Sequence, residues 1–304
     1  MSIPEYQDNG PVAATNRVNA DGLKGKSVII TGGASGLGKA YAKAFVEAGA
    51  FVTIGDYDEA AGSSAERELS PNAAFVKCDV RDWDQQVALF RTALESSPHK
   101  SIDVVIANAG IVGADDFNTQ QDHTQLPSKP DLRILEVNLT GTAYTAYLAL
   151  HFFRNQPQDV SRDRCLIIKG SIAAYADQPG SPQYNMSKWG ARGLFRNLRR
   201  VSWRDGVRVN FVAPWYVRTP ILADKIIQYL ESKDVKFATV EDCARAMIHI
   251  ASEREINGRA FGIVPKEEAP QGYMDLEHDD YQEGDFLQSW QETVLATAES
   301  IVKL

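Results

Sequence analysis

Two tyrosine–lysine pairs in the sequence have the spacing of a helical proton-transfer pair. Tyr184 and Lys188 lie four positions apart in "YNMSK", and Tyr229 and Lys233 repeat that spacing in "YLESK". Side chains four residues apart share one face of a helix. A tyrosine with an ordinary pKa of about 10 is a poor base at neutral pH, but a neighbouring ammonium favours the phenolate and lowers that pKa. The spacing permits proton transfer at both pairs and does not choose between them.

The composition indicates a globular chain that acts on a small molecule. With 304 residues and 44% hydrophobic content, the chain can bury a substantial core, as one α/β domain with extensions or as two small domains. The formal net charge of −8 argues against a polyanionic partner. Since no Lys/Arg-rich run occurs either, we expect no nucleic-acid partner and no membrane surface.

The cysteines and the first residues favour a reducing compartment. Cys78, Cys165 and Cys243 are widely separated and odd in number, which fits neither a disulfide framework nor a zinc site. The histidines show no metal-ligand spacing, so we expect no metal. The first two dozen residues lack an apolar stretch, and no later apolar run is long enough to span a bilayer. These features predict a cytoplasmic protein.

A βαβ unit is predicted by the stretch "KSVIITGGASGLGKAYAKAFVEAGAFVTIGDYD". Gly32, Gly36 and Gly38 in its turn permit a tight reversal, so that N–H groups at the helix start can face a pyrophosphate, and Ser35 adds a hydroxyl. A glycine-rich turn that binds nothing would share these glycines. Asp56, however, ends the second strand about twenty residues later, where a carboxylate accepts hydrogen bonds from a ribose and repels a 2′-phosphate. The pattern predicts NAD as cofactor rather than NADP.

Five further apolar runs continue the alternation of strand and helix. They are "AAFVKCDV", "IDVVIANAG", "DRCLIIKGS", "RVNFVAPW" and "GRAFGIV". Runs with little alternation are typical of strands buried on both faces. The sequence therefore predicts an α/β fold, namely a Rossmann-like doubly wound seven-stranded parallel sheet with helices on both faces. Ligands bind such sheets at the carboxyl ends of the strands.

In their order and spacing, these motifs resemble the short-chain dehydrogenases/reductases. The resemblance covers about residues 22–264 and rests on "TGGASGLG", "NAG", "VNLTG", Ser171, "YNMSK" and "APWYVRT". Within the family, the chain is most similar to NAD-dependent secondary alcohol dehydrogenases of fungal secondary metabolism and to prostaglandin dehydrogenases.

The resemblance favours the first tyrosine–lysine pair. Ser171 precedes Tyr184 by thirteen residues, as in the family, whereas the residue thirteen before Tyr229 is Tyr216. We therefore expect Tyr229 to lie on a lid helix with a solvated lysine. The implied catalytic residues are Asn138, Ser171, Tyr184 and Lys188.

Each catalytic residue has a role that the resemblance implies. Tyr184 exchanges the hydroxyl proton, Ser171 donates to the substrate oxygen as charge develops on it, and Lys188 supplies an ammonium and bonds the nicotinamide ribose. Asn138 holds a water that relays protons from Lys188. A plain structural amide that kinks its helix would explain Asn138 equally.

The resemblance also implies the cofactor contacts. Asp79 and Thr219 have an alternative explanation, since each can simply cap a helix. The implied cofactor-binding residues are Gly32, Ser35, Gly36, Leu37, Gly38, Asp56, Asp79, Val80, Asn108, Gly110, Tyr184, Lys188, Pro214, Val217 and Thr219.

The expected substrate pocket is apolar and aromatic, which favours a bulky hydrophobic alcohol or ketone. Two departures from the family pattern reshape it: Trp215 follows Pro214 where glycine is usual, and Lys169 with Gly170 replaces the usual apolar and serine residues. The expected substrate-binding residues are Ser171, Ala173, Tyr175, Tyr184, Trp215 and Tyr216.

Three segments are expected. Residues 1–22 form a polar N-terminal extension, residues 23–264 the dehydrogenase domain with a lid at about 215–237, and residues 265–304 an acidic C-terminal extension that ends in a helix. The family commonly assembles through the helices near Asn138 and Tyr184, which predicts a homodimer or homotetramer. A surface helix packed within one subunit has the same pattern.

The function expected from these features is NAD-dependent interconversion of a secondary alcohol and a ketone on a bulky hydrophobic small molecule. A dinucleotide-binding cyclase, isomerase or scaffold of the same fold is the alternative, because Trp215 and the C-terminal extension depart from the common pattern.

Overall fold

Eight strands form one sheet in the computed structural model of the chain, which describes residues 3, 5–118, 124, 126–157 and 162–302, the last four by backbone alone. In spatial order the strands run β3-β2-β1-β4-β5-β6-β7-β8. Their bounds are β1 Ser27–Thr31, β2 Phe51–Asp56, β3 Ala73–Lys77, β4 Val104–Ala107, β5 Arg164–Lys169, β6 Val207–Pro214, β7 Ala260–Ile263 and β8 Tyr273–Asp275.

The seven expected strands are parallel, but the prediction of seven strands in all was wrong by one. Strand β8 pairs with β7 in the antiparallel direction, with Gly262 opposite Met274. It follows the strand period, since Tyr273 and Asp275 are buried and Met274 is exposed. Three residues in an acidic segment are too few for that alternation to be recognised in the sequence.

Helices cover both faces of the sheet, which confirms the doubly wound prediction. One core cluster joins the sheet to α1 and α8 through side chains such as Phe45 and Met247, and the other joins it to α3, α5 and α6 through Phe90, Phe153 and Phe195. The helices are α1 Gly36–Glu47, α2 Glu59–Leu69, α3 Trp83–Ser96, α4 Arg133–Leu135, α5 Thr142–Asn155, α6 Pro182–Leu198, α7 Asp224–Ser232, α8 Val240–Ser252 and α9 Phe286–Val302.

The strand order reverses between β1 and β4. The chain builds outward from β1 through β2 to β3 and then crosses to β4 on the other side of β1. At such a reversal the connections leave in opposite directions and open a crevice at the carboxyl ends of the strands. The glycine-rich turn after β1 and the "NAG" segment after β4 both lie at this crevice.

Both terminal segments pack at the β8 side of the sheet. Tyr6 is buried, the Tyr273 hydroxyl donates to the Thr15 carbonyl at 2.9 Å, and Arg259 forms ion pairs of 2.7 Å with both Asp8 and Asp275. The division into extensions and a central domain stays a prediction.

Helix α9 exposes one apolar stripe. Phe286, Trp290 and Val294 are 67%, 65% and 57% exposed, and the first two rings meet edge to face. These side chains do not dock on the chain's own body. No helix in the described ranges combines the length and apolar character that crossing a membrane requires.

Candidate active site

The turn after β1 requires glycine at three positions. Gly32 and Gly36 have φ angles of +62° and +51°, which side chains rarely tolerate. A Cβ on Gly32 would lie 2.8 Å from the Ala109 Cα, and one on Gly38 would overlap the Gly32 carbonyl oxygen. The turn is therefore as tight as the sequence predicts, and its backbone is open to close approach.

The start of α1 is open on the cleft side. Ser35 precedes the helix, is exposed and makes no side-chain cap hydrogen bond, and Leu37 is partly buried. The Thr219 Cβ lies 3.6 Å from where a Cβ on Gly36 would stand. The structure thus brings the loop after β6 to the glycine turn. Unpaired N–H groups at a helix start attract anions, and phosphates above all.

Asp56 ends β2 beside the glycine turn. Its carboxylate accepts the Ala34 N–H at 2.9 Å and the Asp58 N–H at 3.1 Å. Each oxygen accepts one backbone N–H, which leaves lone pairs for further donors. The carboxylate is therefore held at the cleft edge and can still accept from a ribose.

Asn108 and Gly110 close the crevice from the β4 side. The Asn108 side-chain amide donates to the carbonyls of Thr31 and Gly32 at 2.8 and 2.9 Å. A Cβ on Gly110 would lie 3.6 Å from the Lys188 Nζ. Asn108 therefore fixes the glycine turn to the neighbouring strand, and Gly110 leaves room in front of Lys188.

Asp79 and Val80 follow β3 at the far end of the cleft. Two nitrogens of Arg81 donate hydrogen bonds to the Asp79 carboxylate, the shorter of 2.6 Å. These hydrogen bonds lower the pKa of Asp79. Sequence reasoning missed Arg81, for which no motif signal exists. Helix α3 is capped by Asp82, so Asp79 is not a helix cap.

The loop after β6 contains the remaining expected cofactor contacts. The Pro214 carbonyl ends the strand, and Val217 is buried and bridges to Ala238. The residue before α7 is Ala223, so Thr219 does not cap that helix directly.

Ser171, Tyr184 and Lys188 meet at the carboxyl end of β5. Ser171 lies near the phenol of Tyr184 and opposes the rise of that phenol's pKa. The Ser171 hydroxyl donates to the Pro214 carbonyl at 3.5 Å and accepts the Ala173 N–H at 3.2 Å, at the start of a short helical turn. Lys188 follows one turn later on α6, is 2% exposed, and has its Nζ 5.4 Å from the centre of the Tyr184 ring. The structure therefore brings Ser171, Tyr184 and Lys188 together, as the sequence predicts.

The pKa values of Tyr184 and Lys188 differ from those expected from the sequence. Burial raises the pKa of Tyr184, and the nearby Ser171 hydroxyl opposes that rise. Burial also holds the pKa of Lys188 well below its usual range, and the positive charge of Lys169 lowers it further. The expected lowering of the tyrosine pKa by Lys188 is not seen, because desolvation dominates at both groups.

Asn138 lies in a π-helical turn, Glu136–Gly141, between α4 and α5. Its side chain accepts the Ile111 N–H at 2.8 Å and donates to the Ile111 carbonyl at 2.9 Å. It also donates to the Ser187 hydroxyl at 3.3 Å. Asn138 therefore ties the π-helical turn to the segment after β4 and to α6, and both its structural and its relay role stay predictions.

Lys169, which was expected to reshape the substrate pocket, lies close enough to Lys188 to lower its pKa. It ends β5 two residues before Ser171. It lies on the same face of the strand as Ile167, whose side chain belongs to the core cluster with α1 and α8. Burial lowers its pKa from an ordinary 10.5 to about 8, which Cys243 on α8 partly opposes. Within the described ranges, no carboxylate forms an ion pair with Lys169 or Lys188. Lys169 is half-buried and Lys188 is buried, and the two lysines are close enough for the charge of Lys169 to act on Lys188.

The expected substrate residues point in different directions. After burial and Ser171, Tyr216 is the next influence on the pKa of Tyr184, so these two phenols lie near each other. The Trp215 indole donates to the Lys236 carbonyl at 3.0 Å, and the Tyr175 hydroxyl donates to Asp279 at 2.6 Å. Ala173 is 2% exposed and offers almost no surface.

The second tyrosine–lysine pair lies on exposed helix α7. Tyr229 is 60% exposed, Lys233 is exposed, and α7 buries none of its residues. This agrees with a solvated lysine on a lid helix. In the described part of the chain, no group of three His, Cys, Asp or Glu residues is arranged to hold a metal.

The sequence matches one protein family over most of its length. The model of the short chain dehydrogenase family matches residues 26–229, which include the glycine turn, Asn138, Ser171, Tyr184 and Lys188. The chain is a short-chain dehydrogenase.

Three relatives of this short-chain dehydrogenase are informative. A 5′-hydroxyaverantin dehydrogenase of Dothistroma septosporum is 40% identical over 90% of this chain and 93% of its own length. A second enzyme of that name, from Emericella nidulans, is 35% identical over 86% and 90%. An NADP-dependent dehydrogenase of Phoma sp. is 32% identical over 85% and 82%.

Solved structures share the fold. A 3-ketoacyl-(acyl-carrier-protein) reductase of Brucella melitensis, complexed with NADH, superposes with a TM-score of 0.69 at 23% identity, over 79% of this chain and 97% of that one. At that identity, the likeness concerns the fold alone.

Replacing Lys169 by methionine in this short-chain dehydrogenase should stabilise it near neutral pH. A pKa of about 8 in the folded state, against 10.5 ordinarily, means that the buried ammonium costs at most about 3 kcal/mol. Below pH 8 the group is charged in both states and the full penalty applies. Between pH 8 and 10.5 the folded state loses its proton first, so wild-type stability rises and the advantage of Lys169→Met shrinks.

Urea unfolding of both proteins across this pH range measures the effect. The control is Lys233→Met, which removes an exposed lysine and should change the free energy of unfolding by less than about 0.5 kcal/mol at every pH. A Lys169→Met protein less stable than wild type at neutral pH would contradict the burial argument.

Proposed function

We propose that the chain catalyses NAD(H)-dependent interconversion of a secondary alcohol and a ketone on a bulky hydrophobic small molecule, with Tyr184 as acid and base. The observation that carries the proposal is the grouping of three side chains at the carboxyl end of β5: Ser171 lies near Tyr184, and the Lys188 Nζ lies 5.4 Å from the centre of the Tyr184 ring. Two relatives named 5′-hydroxyaverantin dehydrogenase support an alcohol substrate and a setting in secondary metabolism.

The cleft fits a dinucleotide. The positive φ angles of Gly32 and Gly36 bring backbone N–H groups to the surface at the start of α1, and Asp56 stands where an adenosine ribose would lie. When bound, NAD supplies a hydride acceptor for alcohol oxidation, and NADH a hydride donor for ketone reduction.

The chain's own residues handle the proton and the substrate oxygen. In oxidation, the phenolate of Tyr184 takes the hydroxyl proton while the C–H hydride leaves the same carbon, so the C–O bond becomes a carbonyl. Ser171 donates a hydrogen bond to that oxygen and stabilises its developing charge. Lys188, when protonated, favours the phenolate. In reduction, Tyr184 returns the proton.

Cofactor choice is also proposed. Asp56 would repel the 2′-phosphate of NADP, which favours NAD, although a relative is named NADP-dependent. Residue 57, which follows Asp56, is tyrosine rather than a cation that could hold that phosphate.

Replacing Tyr184 by phenylalanine should lower kcat by about 100-fold or more, because general acid–base catalysis contributes about 10²–10⁴-fold. NADH binding should remain. The measurement is NADH absorbance with 5′-hydroxyaverantin and a panel of bulky secondary alcohols and ketones.

Tyr229→Phe is the matched control, since it makes the same change in the other Tyr-x-x-x-Lys pair and should keep wild-type kcat. Equal losses in both variants would refute the assignment of Tyr184. Wild-type protein that binds NADH but oxidises or reduces nothing would instead favour the non-redox alternative.

Wild-type protein should bind NADH at least about tenfold more tightly than NADPH, a difference of roughly 1.4 kcal/mol. Asp56→Asn should narrow this ratio, because it removes the charge but keeps an oxygen for the Ala34 N–H. Fluorescence titration with both dinucleotides measures it. Tighter NADPH binding by the wild type would show that this chain follows its NADP-dependent relative.

Assembly as a homodimer or homotetramer is supported by exposed aromatic side chains on α5 and α6. Tyr147 is 64% exposed and Trp189 is 46% exposed. Light scattering at micromolar concentration should give a dimeric or tetrameric mass, and Trp189→Glu should reduce it. Trp290→Glu, on the equally exposed face of α9, is the control that should not. A monomeric wild type would overturn this proposal.

A further inference from the structure

A segment beyond the family match, residues 278–280, lies against the helix that carries Tyr184. The Arg192 Nε donates to one oxygen of Asp279 at 2.7 Å, and a second nitrogen of Arg192 donates to the His278 carbonyl. Arg192 lies one turn after Lys188 on the same face of α6. The C-terminal segment is thus anchored to the helix of the proposed acid and base.

The same arginine also holds the turn that contains Ser171. A third nitrogen of Arg192 donates to the Ala174 carbonyl at 3.0 Å, and its guanidinium lies 3.8 Å from the centre of the Tyr175 ring. Ala174 ends the short turn, Ile172–Ala174, whose start is capped by the Ser171 hydroxyl. Arg192 therefore links α6, which contains Tyr184, to the turn that follows Ser171.

Asp279 completes the connection. Its second oxygen accepts the Tyr175 hydroxyl at 2.6 Å. Burial and the nearby carboxylate raise the pKa of Tyr175, so its phenol stays protonated and donates. Asp279 is 4% exposed and Arg192 is 8% exposed, so water competes little for either charge. Removing one member of such a pair leaves the other charged and unpaired inside the protein.

We propose that Asp279 is a positioning residue, which holds the Ser171 turn at a fixed distance from helix α6 by binding Tyr175 and Arg192 at once. The inference rests on the proposed function of Ser171 and Tyr184. It extends the active-site support to a segment outside the family match.

The neighbouring residue offers a matched control. Asp280 accepts hydrogen bonds from Arg199 at 3.0 Å, from Arg200 at 2.7 Å and from the Tyr6 hydroxyl. It lies in the same segment and pairs with the two arginines that directly follow α6, but it has no hydrogen bond to the Ser171 turn. A loss of general stability should follow from either substitution, whereas a loss of catalysis should follow from Asp279 alone.

Asp279→Asn and Asp279→Ala should lower kcat by about 10- to 100-fold, since small misplacements of reacting groups cost that much. The Kd for NADH should not change. Tyr175→Phe removes only the hydroxyl and should lower kcat less. Asp280→Asn should lower the melting temperature as much as Asp279→Asn does, yet keep kcat within about twofold of wild type.

Hydrogen–deuterium exchange tests the same idea without a substrate. Backbone amides of residues 171–176 should exchange faster in Asp279→Asn and Tyr175→Phe than in wild type. In Asp280→Asn their exchange rates should equal those of wild type. Equal kcat losses at positions 279 and 280, or unchanged exchange of this turn in the Asp279 variant, would overturn the inference. If the wild type has no dehydrogenase activity, the proposed function fails, but the exchange comparison still decides whether Asp279 holds the turn.

Discussion

Buried positive charge on one face of α6 is the constraint around which this molecule is arranged. Lys188 and Arg192 on α6 and Arg199 directly after it are 2%, 8% and 2% exposed, and their spacing places them on the same side of the helix. Cations inside a protein need counterions, because burial without a partner is costly. Asp279 and Asp280 meet that need for the two arginines. The helix that presents Tyr184 is therefore fixed by charges from the far end of the chain.

Lys188 is the exception on this face, since its neighbour is another lysine rather than a carboxylate. When both are protonated, Lys188 and Lys169 place two positive charges at the carboxyl end of β5, in a chain whose formal net charge is −8. Such charges favour anionic groups, for instance a phenolate or a diphosphate. The lowered pKa values of both lysines express the cost of this arrangement.

Local patterns made most of the fold and the centre of the site predictable. Seven strands and the glycine turn follow from apolar runs and from φ angles that only glycine adopts readily. Helical spacing gave two tyrosine–lysine pairs, and the position of Ser171 thirteen residues before Tyr184 chose between them. The missed features depend on contacts between distant residues. Strand β8 exists because β7 offers it an edge, and Asp279 contacts Arg192 across 87 positions of sequence.

The directions of side chains were equally beyond the sequence. Tyr175, Trp215 and Tyr216 are all aromatic residues near the site in sequence, yet of these three it is Tyr216 that influences the pKa of Tyr184. The Tyr175 hydroxyl donates to Asp279 instead, and the Trp215 indole N–H donates to the Lys236 carbonyl. A hydrogen-bond partner elsewhere in the fold decides where such an aromatic points.

The late position of Asp279 in the sequence has a consequence for synthesis. Arg199 precedes the aspartate by 80 residues, so at ribosomal rates roughly 4 to 16 s pass between the two. During that interval the nascent Rossmann core contains α6 without the carboxylates that neutralise its arginines. Helix α6 is therefore synthesised early and receives its counterions late, and a chain that stops before residue 279 keeps two interior arginines without their acids.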